Sequence, residues 1–148
     1  MGEAEGDITR KPKDLTVLDT TVKAVSKALE QAGATLDQIG WLEVHDCFSI
    51  SGLLSIEAIG LAEKGKGAQY ILDGNTKPDG KLPTNLSGGL GGFGHPTGAS
   101  GVRQMVDLFL QLTSQAENQV NSKKPYGLMI SMGGNDKTVT CFIVRKAE

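Results

Sequence analysis

Between Asn85 and Gly101 the chain reads Asn-Leu-Ser-Gly-Gly-Leu-Gly-Gly-Phe-Gly-His-Pro-Thr-Gly-Ala-Ser-Gly, with seven glycines in one stretch. Backbone so bare of side chains is used where the chain must come very close to a ligand or to other backbone. His95 stands before Pro96, whose ring biases the preceding residue toward extended angles. An imidazole held in this way suits a general base or a donor to a developing oxyanion. The same glycines would serve a phosphate cradle or a tight packing corner. The segment lacks the Gly-Lys-Ser/Thr ending of a P-loop and the spacing of a dinucleotide site, and glycine content alone leaves the choice open.

The flanking sequence supplies regular elements. Leu18, Val22, Val25, Leu29 and Ala32 recur at helical spacing, with Asp14 as a plausible N-cap and Gly33 just past the end. A strand is expected at Trp41–Val44, then a helix from Ile50 to Glu63 with Leu53, Leu54, Ile56 and Ile59 inward, ended by Gly65 and Gly67. Asp73 to Gly94 is loop-like. A third helix from about Gly98 to Ala116 is expected to bury Val102, Met105, Val106, Phe109 and Leu112. Tyr126–Ser131 and Thr138–Val144, separated by Gly133-Gly134-Asn135-Asp136, read as a β-hairpin. The class is α/β: a small mixed sheet flanked by helices on both faces, with a strand missing at the front because the chain opens onto a helix.

A second place carries chemistry. His45-Asp46-Cys47-Phe48 lies where the first strand hands over to a helix. Continued strand geometry points His45 and Cys47 to one side and Val44 and Asp46 to the other. A thiol just ahead of a helix N-terminus meets unpaired N–H groups, which favour thiolate. The bland alternative is a structural cysteine beside a hydrogen-bonded histidine. A metal site from His45, Cys47 and His95 matches no zinc spacing.

Composition narrows the partners. A net charge of −2, with no basic stripe, excludes a nucleic-acid role, and no apolar run is long enough to span a bilayer. Met1–Lys13 is a polar lead without the apolar core of a secretory signal, and the end Arg145-Lys146-Ala147-Glu148 is not a peroxisomal address. Cys47 and Cys141, far apart, are expected to be free thiols in a reducing, intracellular compartment.

Gly94-His95-Pro96-Thr97-Gly98-Ala99-Ser100-Gly101 resembles the Gly-His-Pro block of thiolases, and His45-Asp46-Cys47-Phe48 resembles the block that replaces Asn-Glu-Ala-Phe in the sterol carrier protein-type thiolases. The order of the two motifs and the closing Gly-Gly hairpin agree with that family from about Leu15 onward. The resemblance implies a thiolase C-terminal domain at 14–148, one half of an αβαβα fold. It implies acyl exchange between coenzyme A and a 3-ketoacyl chain, with the thioester as substrate and no further cofactor. His95 would activate the nucleophile and bind the oxyanion, and His45 would stand where asparagine usually holds the oxyanion-hole water. Phe48, Gly94, Pro96 and Gly133 would border the substrate.

Most thiolases carry their acid/base cysteine in a Cys-x-Gly motif, but the matching stretch here is Ser131-Met132-Gly133-Gly134, so the resemblance assigns that role to Cys47. Ser131 is too weak an acid/base to replace it, and Cys141 is expected to be a small buried side chain. The resemblance implies that the nucleophilic cysteine lies in an N-terminal half outside this chain. An isolated half is therefore expected to be inactive, to expose an apolar face, and to belong to a homo-oligomer when complete. A non-catalytic module binding acyl-CoA or a protein is the alternative. A decarboxylating ketoacyl synthase is disfavoured because His-Asp-Cys-Phe is not among that family's motifs.

Overall fold

The computed structural model describes residues 1–146 of the chain, so the terminal residues 147 and 148 lie outside the description. Four strands form one mixed sheet in the order β1-β4-β3-β2. They are β1 (Gly2–Glu5), β2 (Ile39–Glu43), β3 (Tyr126–Gly133) and β4 (Thr138–Arg145). β3 and β4 are the expected hairpin, β1 is antiparallel to β4, and β2 is parallel to β3. Helix α1 (Asp19–Ala32) packs on β1 and β4 and against α2 (Ser49–Ile59), while α5 (Ser100–Leu112) covers β3 and β2. Two short helices, α3 (Gly67–Leu72) and α4 (Gly89–Phe93), lie between them.

Strand alternation divides the core. Leu128, Ile130, Met132, Val139 and Cys141 face α1 and α2 in the main cluster with Val25, Ala28 and Ile56. Trp41 and Met129 face the other way and join Leu108 of α5. Toward the hairpin turn that second face is lined by Ser131, Thr140 and Thr138, which α5 leaves uncovered. The site forms there.

Four expectations are corrected. The chain does not open onto a helix: Gly2–Glu5, within the stretch read as a polar lead, is an edge strand. Gly-Glu-Ala-Glu carries no β signature of its own, and its pairing with Thr138–Cys141 supplies the order. Gly2 matters here because a Cβ at that position would run into the α1 backbone at Ala24 and Ala28. The second helix stops at Gly60, which takes φ 92°, rather than at Gly65 and Gly67.

Asp14 is not the N-cap of α1. It closes a turn on Thr16 and pairs with Lys64 instead. The cap comes from the other end of the chain, where the Asp136 carboxylate accepts the N–H groups of Thr20 (2.8 Å) and Thr21 (2.9 Å) and the Thr21 hydroxyl (2.6 Å). Asp136→Ala is therefore expected to cost about 1–2 kcal/mol, typical of a lost cap, read as a lower urea midpoint with an unchanged m-value.

The fourth correction concerns α5. Its fully buried residues are Ser100, Gln104, Leu108 and Gln111; Met105 and Leu112 pack against the second cluster as expected, while Val102, Val106 and Phe109 are 66%, 44% and 55% exposed. Helical period marks a stripe but not which neighbour covers it. The inward glutamines complete backbone hydrogen bonding: Gln104 Nε2 donates to Ile130 O, and Gln111 accepts from the Val120 N–H. The apolar stripe at i, i+4, i+7 faces outward.

Candidate functional site

β2 ends at Glu43, and the chain turns tightly at His45, where the Asp46 N–H donates to Val44 O. The segment Pro83–Asn85 runs along the free edge of β2, with Leu42 N–H donating to Pro83 O and Asn85 N–H to Leu42 O. The Asn85 side chain continues this pairing: its Oδ1 accepts the Val44 N–H at 2.8 Å and its Nδ2 donates to Val44 O at 3.2 Å. The glycine-rich segment is thus anchored to the strand that carries His45.

One residue on, the Asp46 carboxylate accepts the N–H of Leu90 at 2.8 Å. A Cβ on Gly89, which has φ 62°, would collide with that carboxylate and with the Asn85 amide. This is the close approach that the glycines permit. Asn85 and Asp46 were not singled out by sequence reasoning, and no local signal marks them, since their partners lie more than forty positions away.

The two motifs meet. The rings of His45 and His95 are 4.9 Å apart and nearly perpendicular, at 83°. Both, with Cys47, border a cavity of about 940 Å³, which Phe48 and Gly133 also line. Gly94 and Pro96 are not on this cavity; they line a smaller one behind the loop. His45 and Cys47 border the cavity and Val44 lies in the main core, whereas Asp46, expected on the side of Val44, turns to the glycine-rich loop because the strand has already ended.

The microenvironments differ. His45 is 4% exposed, and its Nδ1 has no hydrogen-bond partner among the described residues. Burial, and next the neighbouring His95, hold its pKa below the usual histidine value, against a smaller opposing pull from Asp46. The neutral imidazole is therefore favoured. His95 is exposed, with Nδ1 2.7 Å from Ser100 Oγ. Ser100 was missed as well, although its place in the first turn of a helix after His-Pro is a usable hint. Cys47 is half-buried, immediately before the residue that caps α2, with Sγ 3.8 Å from Ser51 Oγ.

Cys141 is fully buried in the main core, as expected, and burial pushes its thiol up to about 12. Ser131, in the place of the usual cysteine, faces the large cavity opposite Gly101. Among the described residues no group of three or more His, Cys, Asp or Glu could hold a metal ion, and no helix is long and apolar enough to cross a membrane.

Comparison with known proteins adds a family. The model of the thiolase C-terminal domain-like family matches residues 3–146. An acetyl-CoA acetyltransferase of Methanothermobacter thermautotrophicus is 40% identical over 131 residues, covering 88% of this chain and 34% of that protein. Human sterol carrier protein 2 is 42% identical over 98 residues, 66% of this chain and 18% of that protein. The chain thus spans about a third or less of the curated relatives it matches.

Among solved structures, the Ltp2-ChsH2(DUF35) aldolase superposes with a TM-score of 0.81 at 18% identity, over 97% of this chain and 37% of that one. The Acat5 thiolase from Ascaris suum, in complex with coenzyme A, gives 0.63 at 24% identity, over 99% and 29%. At these identities both speak for the fold alone, and the α/β thiolase-like architecture agrees with them.

Proposed function

The chain belongs to the thiolase C-terminal domain-like family, and from that premise we propose that it is the acid/base and oxyanion-hole half of a thiolase, exchanging acyl groups between coenzyme A and a 3-ketoacyl-CoA. The observation that carries this reading is the convergence of Cys47, His45 and His95 on one cavity. Its volume of about 940 Å³ is at the upper end of the range that encloses small ligands.

In thiolysis, a cysteine thiolate from the other half attacks the 3-keto carbon, and the carbonyl oxygen becomes an oxyanion. The bond between C2 and C3 then breaks, leaving an acyl-enzyme thioester and the enolate of acetyl-CoA. Cys47 gives its proton to that carbon. The resulting thiolate takes the proton of incoming coenzyme A, whose sulfur attacks the acyl-enzyme and frees the nucleophile. His95 activates the nucleophile and, with His45, donates toward the oxygens that gain charge. A neutral His45 suits a donor that must not hold a permanent charge in a buried place.

The nucleophile comes from outside the chain, because Cys141 is sealed in the core and Cys47 is needed for the proton. The Val102–Val106–Phe109 stripe beside the site is the surface that the first half covers. The test is thiolysis of acetoacetyl-CoA by this chain, alone and co-expressed with the first half of a related thiolase. The chain alone gives no turnover, and the pair restores it. Normal turnover by the chain alone would overturn the reading. So would binding of acyl-CoA by an assembled but inert pair, which would favour the non-catalytic alternative.

A further inference from the structure

Behind the glycine-rich loop lies a second, smaller cavity of about 140 Å³, enough for a few water molecules at about 30 Å³ each. Four of its lining groups are polar and face one another across β2 and α5: Glu43, Ser100, Gln104 and the Arg103–Asp107 pair. Glu43 is only 4% exposed and Gln104 2%. Gln104 spends its amide hydrogen on Ile130 O, and its buried Oε1 accepts nothing from the described residues. An oxygen so placed calls for a water donor. Ser100 lines both cavities, and its hydroxyl touches His95 Nδ1 on the side of the large one.

We propose that Glu43 is a positioning residue for His95, acting through water in the small cavity and through Ser100 to set which imidazole nitrogen carries the proton. With Glu43 protonated, its O–H donates to the water, which donates to Gln104 Oε1 and to Ser100 Oγ. The Ser100 hydroxyl then donates to His95 Nδ1, so the hydrogen rests on Nε2, ready to meet an oxyanion. With Glu43 ionised the chain reverses: water donates to the carboxylate, Ser100 to the water, and His95 Nδ1–H to Ser100. Nε2 is then bare and suited to accept a proton. Each donor keeps one hydrogen per bond in both arrangements. Ser100 also lies 3.3 Å from Pro96 O, a weaker alternative acceptor.

The charges around Glu43 favour the first arrangement at neutral pH. Burial foremost, then Asp107 of α5 and Asp46 after β2, push its carboxyl up to about 8, with Arg103 of α5 opposing. α4 brings no titratable group to this cavity, and His45 and His95 lie on the far side of Ser100.

The use of this switch in turnover rests on the acid/base reading above, but the switch itself is readable without substrate. The experiment is ¹⁵N NMR of the His95 ring in the whole chain, titrated upward from neutral pH. The expected result is an exchange of N–H and bare character between Nε2 and Nδ1 near pH 8. Glu43→Gln, which always donates, should hold the hydrogen on Nε2 throughout, and Ser100→Ala should remove the tautomer's dependence on Glu43. A His95 tautomer that stays constant in the unmodified chain, or that exchanges equally in Glu43→Gln, would overturn the proposal. A failed acyl-transfer assay would leave it standing.

Discussion

Cys47→Ala, introduced into the assembled two-half enzyme, is expected to lower kcat for thiolysis by about 10²–10⁴-fold, the usual worth of a placed proton-transfer group. The reasoning starts from position. Cys47 and His95 border the same cavity from different parts of the chain, and no third thiol is available among this chain's residues. Removing the sulfur leaves Phe48 and the rest of the cavity wall in place, so KM should change little. Cys47→Ser should not rescue, because a hydroxyl holds its proton too tightly to cycle it. His95→Ala should cost about 10²–10³-fold, the loss of one oxyanion donor. The double variant should lose less than the product of the two, since the groups act as a unit. Cys141→Ala, deep in the core, is the control and should keep its rate. Steady-state assays decide, and a Cys47→Ala enzyme within a few-fold of its parent would remove that thiol from the chemistry.

The second large effect is on stability. Glu43 has an ordinary value of 4.5, and the fold raises it to about 8. Between those values the unfolded chain has released the proton while the folded one retains it. Rising pH therefore favours unfolding across that interval, with the full contribution present below 4.5 and lost by about 8. The span corresponds to on the order of 5 kcal/mol. His45 works in the opposite sense. Its value is depressed below 6.5, so its contribution is present above that pH and falls away on acidification. The clearest interval is thus from 6.5 to about 8, where the His45 contribution is constant and that of Glu43 still changes with pH. Urea titrations there should show the unmodified chain weakening while Glu43→Gln stays level. Parallel slopes for the two proteins would mean that Glu43 ionises freely in the fold.

The elements with strong periods were legible beforehand. α1, β2 and the β3–β4 hairpin appear close to where apolar spacing and the Gly-Gly-Asn-Asp turn placed them. Two-residue alternation placed His45 opposite Val44, but Asp46 and Cys47 lie beyond the strand, where that period no longer applies. That His45 and Cys47 would meet His95 came only from family resemblance, because no local pattern brings together residues fifty positions apart. β1 was hidden because Gly-Glu-Ala-Glu is ordered by β4, not by its own propensity. Part of the α5 face was misjudged because an apolar stripe was equated with burial, whereas Gln104 and Gln111 turn inward to serve backbone groups of β3 and of the loop that precedes it. Glu43, Asn85 and Ser100 gain their significance from cavities and cross-chain bonds that one-dimensional spacing does not encode.

The carboxylate of Asp136 that closes the start of α1 lies 116 positions further along than Thr20. During synthesis this helix must therefore wait for more than a hundred further residues to be made before its first turn is secured. A nascent chain stalled before the β3–β4 hairpin would leave that helix fraying and its apolar side open to chaperones.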